Sequence, residues 1–166
     1  MIYWLGYVLW KFLSWIFYPL TIKGLENLPS QGVKPRGPHG ALRGGFIIAS
    51  NHQSYLDPMI IGLCFRCRLT YVARDSIFKN RIFSFFLNGV GAVPIKRNSS
   101  DIGAIKEILK RLEAGCPVVI FPEGTRLKER KGVHPGVGLL AVKSGLPVVP
   151  AFIRDSDKVL GPGAKF

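Results

Sequence analysis

The sequence predicts an α/β fold, a largely parallel sheet flanked by helices, with an apolar helical segment at the N-terminus. Two observations predict the sheet. Short segments rich in Val and Ile alternate with helical segments from residue 46 to residue 153, and these short segments are continuously apolar. Continuous apolar strands are typical of parallel sheets that helices cover on both faces. At 166 residues, the chain suits one domain with a proper core.

The elements follow each other in a strand, helix, strand order. Strands are predicted at 46–50, 69–73, 90–95, 117–121 and 147–153, and helices at 58–66, 76–87, 101–114 and 137–144. The helix at 101–114 has the clearest pattern, because isoleucines and leucines recur along one face. Asp57 followed by Pro58 predicts a helix N-cap and a first helical residue. Residues 30–45, rich in Gly, Pro and basic residues, predict an exposed loop.

The first twenty residues are apolar, with Lys11 as the only charge between Met1 and Pro19. Such a length suffices to span a bilayer, but Lys11 lies at its centre, where a charge costs about 2.5–3.5 kcal/mol. We therefore expect residues 1–22 to lie in a membrane surface as one helix or a helical pair, with a true span as the alternative. Residues 23–166 then form the folded domain.

Charge and composition narrow the class of partner. The net charge of +13 predicts an anionic partner, and the 48% hydrophobic content favours a membrane-associated protein over a nucleic-acid module. No zinc-finger, helix-turn-helix or RNP pattern is present, so no nucleic acid is expected. Cys64 and Cys67 form a C-x-x-C pattern without a second ligand pair, which predicts structural thiols rather than a metal site.

Polar clusters follow the first four predicted strands, namely SNHQS, Arg74-Asp75, Lys96-Arg97-Asn98 and PEGTR. Because the carboxyl ends of parallel strands lie at one edge of a sheet, these clusters are expected to meet there. In the first cluster, His52 precedes Asp57 by five residues. The carboxylate could accept a hydrogen bond from one imidazole nitrogen and leave the other as a base. Alternatively, Asp57 only caps the helix and His52 is an ordinary loop residue.

The fourth cluster has features of an anion site. Gly124 permits a sharp backbone turn that exposes amides, and Arg126 offers a planar fork for phosphate oxygens. Glu123 could bind a hydroxyl group or hold Arg126 in place. The alternative is a turn with a surface ion pair.

Four stretches together resemble a known family. SNHQSYLDP, GAVPIKR, FPEGTR and PVVPAFI, in this order and spacing, are similar to the signature blocks of the glycerolipid acyltransferases, specifically the lysophosphatidic acid acyltransferase branch. The resemblance implies acyl transfer from acyl-CoA or acyl carrier protein to 1-acyl-sn-glycerol-3-phosphate, giving phosphatidic acid. It also implies that the protein acts on membrane lipids at the cytoplasmic face of the cell membrane, and that it needs no metal or bound cofactor.

The resemblance further implies residue roles. His52 would deprotonate the acceptor hydroxyl and Asp57 would orient the imidazole, without an acyl-enzyme intermediate. The glycerol phosphate would be held by Arg97 and by the turn of Glu123, Gly124, Thr125 and Arg126, with Arg74 as a weaker candidate. Backbone amides near Gly124 would stabilise the oxyanion.

The sequence departs from the family pattern after FPEGTR, where Gly132-Val133-His134-Pro135-Gly136 replaces the usual aromatic residue and lysine. The chain also ends at GPGAKF soon after the fourth block, as expected for a shortened or truncated member. Two alternatives to the implied activity stay open. One is an acyltransferase for another lysolipid, such as lyso-ornithine lipid, and the other is a non-catalytic membrane-binding relative.

Overall fold

The computed structural model describes residues 8, 20–28, 35–36, 41–42, 45–65, 67–96, 101–124 and 135–160. The strands in this part of the chain are β1 Pro35–Arg36, β2 Ala41–Leu42, β3 Ile47–Ser50, β4 Thr70–Arg74, β5 Val93–Ile95, β6 Val118–Ile120 and β7 Val148–Ala151. The α-helices are α1 Asp57–Cys64, α2 Arg81–Gly89, α3 Ile102–Glu113, α4 Gly136–Ser144 and α5 Ser156–Leu160. Two 3₁₀ helices span Leu25–Asn27 and Asp75–Lys79.

Strands β3 to β7 form one five-stranded sheet in the order β5-β4-β6-β3-β7. Every pairing in this sheet is parallel, which confirms the predicted sheet. β3 lies between β6 and β7, where Ile47 is level with Val118 on one side and Val148 on the other. The carboxyl ends of all five strands therefore lie at one edge, where the loop after β3 meets the turn after β6.

Helices cover both faces of the sheet, as predicted. On one face Ile48 of β3 belongs to a buried cluster with Ile61 of α1. On the other face the preceding residue, Ile47, belongs to a second buried cluster with Ile108 of α3 and Leu140 of α4. Consecutive residues of one strand thus enter two separate cores. This arrangement explains why the strand segments are continuously apolar in sequence.

The helix predicted at 76–87 is two elements rather than one. Asp75–Lys79 is a 3₁₀ helix, and α2 begins only after Asn80. The side-chain oxygen of Asn80 accepts hydrogen bonds from the N–H groups of Ile82 and Phe83 at 3.0 and 3.2 Å. Asn80 is therefore an N-cap in the middle of the predicted helix.

Three shorter segments also differ from the prediction. The strand predicted from residue 90 begins at Val93, because Gly91 has a φ of 79° and still belongs to the turn after α2. Within residues 30–45, predicted as a loop, β1 pairs antiparallel with β2. The sequence patterns do not predict α5, which follows β7 and begins at the buried Ser156.

The expected membrane segment falls mostly outside the described residues. Of residues 1–22, the structure describes Val8, which is helical and exposed, and residues 20–22. In the part of the chain that is described, no helix combines the length and the apolar character needed to cross a bilayer. The division at residue 22 stays a prediction.

Candidate active site

The loop from Asn51 to Leu56 joins the carboxyl end of β3 to α1 and holds a paired histidine and aspartate. Nδ1 of His52 lies 2.9 Å from Oδ2 of Asp57. The same carboxylate oxygen accepts the N–H of Gln53 at 2.6 Å and the N–H of Ser54 at 2.8 Å. The loop therefore wraps around the carboxylate, and the expected contact between His52 and Asp57 is present.

The place of Asp57 in the helix differs from the prediction. α1 begins at Asp57 itself, and Leu56 is the N-cap residue. The Oδ2 atom of Asp57 is directed back into the loop, where it meets three donors. The prediction of Asp57 as a side-chain N-cap is therefore wrong, because the loop offers this oxygen an imidazole and two N–H groups.

The protonation of the pair follows from its surroundings. Burial alone would raise the pKa of Asp57, but the hydrogen bonds from His52 and from the N–H groups of Ser54 and Gln53, together with the nearby Ser156 hydroxyl, outweigh it, and the pKa lies below its ordinary 3.8. An ionised carboxylate can only accept hydrogen bonds, so Nδ1 of His52 carries the proton in this contact. In the neutral imidazole Nε2 is then unprotonated, which is the tautomer that a general base requires.

Asn51 fixes this loop to the end of the neighbouring strand β7. Its Nδ2 donates to the carbonyl oxygen of Ile153 at 2.8 Å, and its Oδ1 accepts the N–H of Ile153 at 2.7 Å. The side-chain amide thus satisfies both backbone groups of one residue, as a paired strand would. The two residues are 102 positions apart, and the sequence patterns gave no signal for this contact.

The turn after β6 brings the third motif against His52. The ring of Phe121 stacks on the imidazole with centroids 4.2 Å apart and an interplanar angle of 24°. The N–H of Gly124 donates to the carbonyl oxygen of Phe121 at 3.0 Å, and Gly124 has a φ of 61°, in the region that favours glycine. Glu123 is half-buried and Gly124 is exposed. The first and third motifs therefore meet, as the parallel sheet predicts.

The remaining predicted site residues are less closely defined. Arg74 is exposed at the end of β4, two strands from β3 in the sheet. Arg97, Thr125 and Arg126 lie outside the described residues. Their expected roles in binding the acceptor stay predictions.

The cysteines have the properties of structural thiols. Cys67 is buried, and burial together with the neighbouring Cys116 raises its pKa to about 11. Burial also raises the pKa of Cys64, at the end of α1. Within the described residues, no group of three or more His, Cys, Asp or Glu side chains could hold a metal ion.

Comparison with known proteins identifies the family to which this sheet and site belong. The sequence model of the acyltransferase family matches residues 19–154, which include both sides of the site. The chain belongs to the acyltransferase family. The stretches SNHQSYLDP and FPEGTR, which carried the resemblance in sequence, thus contribute the loop and the turn that meet at His52.

Several relatives carry the name of the predicted branch. A chloroplastic 1-acyl-sn-glycerol-3-phosphate acyltransferase of Arabidopsis thaliana is 31% identical over 95% of this chain and 42% of its own length. A 1-acyl-sn-glycerol-3-phosphate acyltransferase of Bacillus subtilis is 32% identical over 76% of this chain and 58% of its own. The acyltransferase chain thus spans about half the length of these curated relatives. The predicted resemblance is confirmed.

A solved structure has the same fold. The 1-acyl-sn-glycerophosphate acyltransferase PlsC of Thermotoga maritima superposes with a TM-score of 0.69 at 25% sequence identity. The match covers 98% of this acyltransferase chain and 60% of that chain.

Proposed function

We propose that this acyltransferase moves a fatty acyl group from a thioester to the free hydroxyl of 1-acyl-sn-glycerol-3-phosphate, giving phosphatidic acid. The contact between His52 and Asp57 carries the proposal, because it supplies a base in the required tautomer at the edge of the sheet where ligands bind. The names of the relatives in Arabidopsis thaliana and Bacillus subtilis support the acceptor. The donor is acyl-CoA or acyl carrier protein.

The reaction needs one base and no covalent enzyme intermediate. Nε2 of His52 accepts the proton of the acceptor hydroxyl while its oxygen attacks the thioester carbonyl carbon. The tetrahedral intermediate then expels the thiolate, which takes the proton back from the imidazolium. A C–O bond forms, a C–S bond breaks, and the products are an ester and a thiol. Asp57 stabilises the imidazolium between the two proton transfers, and no metal or bound cofactor takes part.

The turn after β6 is the proposed acceptor side. Glu123 is half-buried beside the exposed Gly124, so both can face a bound ligand. The adjoining Thr125 and Arg126, together with Arg97 after β5, would bind the phosphate group. Arg74, exposed at the end of β4, is a weaker candidate for the same anion.

The lipid substrates place the reaction at a membrane. The net charge of +13 favours contact with anionic headgroups, and residues 1–22 supply an apolar anchor. We place the enzyme on the cytoplasmic face, where acyl-CoA and acyl carrier protein are found. Removal of residues 1–20 should lower co-sedimentation with anionic vesicles, and unchanged binding would remove the anchor from the proposal.

The decisive experiment measures thiol release from an acyl thioester by the protein in vesicles that contain lysophosphatidate. His52→Ala is expected to lose activity on the order of a thousandfold, because no other group replaces the base. His39→Ala, which removes an imidazole from the predicted loop, is the matched control and should retain activity. The proposal fails if the wild type releases no more thiol than folded His52→Ala.

A second arm of this assay tests the acceptor. Lysophosphatidate should be preferred over a neutral monoacylglycerol by the wild type, and Arg126→Ala should reduce this preference mainly through the acceptor KM. Equal activity with lyso-ornithine lipid would favour the alternative acceptor. Vesicle binding without any thiol release would favour the non-catalytic relative.

A further inference from the structure

The two carboxylate oxygens of Asp57 differ in their hydrogen bonding. Oδ2 receives three hydrogen bonds, whereas Oδ1 is buried without a hydrogen-bond partner among the described residues. In the same part of the chain, the hydroxyl oxygen of Ser156 is also buried and without a hydrogen-bond partner. A buried polar atom without a partner is costly, and Ser156 lies near enough to Asp57 to affect its pKa, so the two atoms can serve each other.

Ser156 follows β7, the strand that lies next to β3 in the sheet. Ser156 is 4% exposed and begins α5, three residues after the Ile153 that Asn51 holds by two hydrogen bonds. Asp155 between them has a φ of 64°, which is uncommon for a residue other than glycine. The chain therefore turns sharply just before Ser156 enters the interior. Ser156 also lies beyond residue 154, where the match to the acyltransferase family ends.

We propose that Ser156 is a positioning residue, whose hydroxyl donates a hydrogen bond to Oδ1 of Asp57 while Oδ2 receives Nδ1 of His52. A serine hydroxyl proton rotates freely to suit its acceptor, and an ionised carboxylate can accept several hydrogen bonds. This bond would give both buried atoms a partner. The carboxylate is then held at both oxygens, so its plane, and with it the imidazole, is fixed.

The electrostatics of the site agree with this geometry. Burial raises the pKa of Asp57, and Ser156 is among the groups that bring it below its ordinary value. Among the described residues, His52 is the titratable group that hydrogen-bonds the carboxylate, and the other hydrogen bonds to it come from the N–H groups of Gln53 and Ser54, which do not titrate. Loss of the hydroxyl should therefore make Asp57 harder to ionise without changing the charge of its surroundings.

A titration of Asp57 tests this role without relying on catalysis. The protein is labelled with aspartate carrying ¹³C at Cγ, and the Asp57 signal is identified by its absence in Asp57→Asn. In Ser156→Ala the midpoint of this signal should move up by about one pH unit, because one hydrogen bond to the charged form is lost. Ser156→Thr, which keeps the hydroxyl, should titrate like the wild type.

Two further variants make the titration decisive. Ser156→Cys replaces the hydroxyl by a weak donor of similar shape and should also raise the midpoint, so the test survives if the alanine variant does not fold. Ser76→Ala removes an exposed serine and should leave the midpoint unchanged. An unchanged midpoint in the folded alanine and cysteine variants overturns the proposal, as does a threonine variant that titrates like the alanine variant.

The role of Ser156 in catalysis rests on the acyl transfer proposed above, and it is tested by measuring kcat and the acceptor KM. Ser156→Ala should lower kcat about five- to tenfold while the acceptor KM changes less than about twofold, because the base is less well oriented but the phosphate side is intact. A rise in KM alone would overturn the positioning role. If the wild type shows no acyl transfer, the proposed function fails, and the titration still decides whether Ser156 holds Asp57.

Discussion

The two sides of the candidate active site differ in how deeply they are buried. In the loop after β3, Asp57 is fully buried and His52 is 13% exposed, and hydrogen bonds join Asp57 to three groups and Asn51 to Ile153. In the turn after β6, Glu123 is half-buried and Gly124 is exposed. The ring contact between Phe121 and His52 joins the two sides.

This difference matches the different demands of the two steps. Proton transfer needs a base held in one orientation, which buried hydrogen bonds provide. Acceptor binding needs polar groups that a ligand can reach, which an exposed turn provides. Substitutions in the loop, and at Phe121 whose ring contacts His52, should therefore lower kcat. Substitutions at the outer part of the turn, Glu123 and Gly124, should act mainly on the acceptor KM.

The largest effect is expected from Asp57→Asn. The variant loses the charge that holds the Nδ1 proton of His52 and stabilises the imidazolium, so kcat should fall on the order of a thousandfold.

The free energy of unfolding of the wild type should also depend on pH through Asp57. Because the folded pKa of Asp57 is lowered, its contribution is complete above 3.8 and is lost as pH falls through the folded value. The stability difference between wild type and variant should therefore shrink in acid, as measured by urea unfolding at several pH values.

Asp101→Asn is the matched control for the loss of a hydrogen-bonded carboxylate. Asp101 accepts the N–H of Ala104 at 3.0 Å and so caps α3, on the face of the sheet opposite α1. Its replacement should leave kcat within about twofold. A comparable loss of kcat in both variants would mean that the effect of Asp57 is one of folding, and the proposed distinction between the two sides would fail.

The sheet and the meeting of the two motifs at its edge could be predicted from the sequence, because both follow from local sequence patterns. Continuous apolar strands such as IIAS reveal a sheet buried on both faces, and parallel strands bring His52 and the turn at Gly124 to one edge. Parallel pairing therefore predicts that motifs following the strands lie at the same edge of the sheet, even when no side-chain contact is known.

What could not be predicted depends on tertiary contacts. The pairing of Asn51 with Ile153 and the approach of Ser156 to Asp57 join residues about a hundred positions apart, and no local pattern encodes them. The N-cap assignment of Asp57 was wrong for a related reason. Its carboxylate could have bonded the helix amides or the loop, and the choice depends on how the folded loop presents its donors.

An intermediate effect is expected from Phe121→Leu, which keeps an apolar side chain but removes the ring stacked on His52. Ring contacts of this kind are worth about 0.5–1.5 kcal/mol, so kcat should fall about three- to tenfold. Phe85→Leu is the control, since Phe85 is 61% exposed on α2. Activity is measured in detergent micelles for both variants. Equal activity of Phe121→Leu and wild type would show that the loop orients His52 without help from the turn.

The smallest effect is expected from Gly124→Ala. This variant tests whether the turn contributes to acceptor binding, measured by KM, or to the chemical step, measured by kcat. At a φ of 61° an alanine costs about 1–2 kcal/mol, so the turn should relax and its amides should shift. Gly138→Ala is the matched control, because among the described residues no atom beyond the helix's own neighbouring backbone lies within 4 Å of an added Cβ at that helical position. A rise of about two- to fivefold in the acceptor KM, with kcat nearly unchanged, would place the turn on the binding side. If kcat falls instead, the amides near Gly124 contact the oxyanion of the transition state, and the exposed side of the site shares in the chemistry after all.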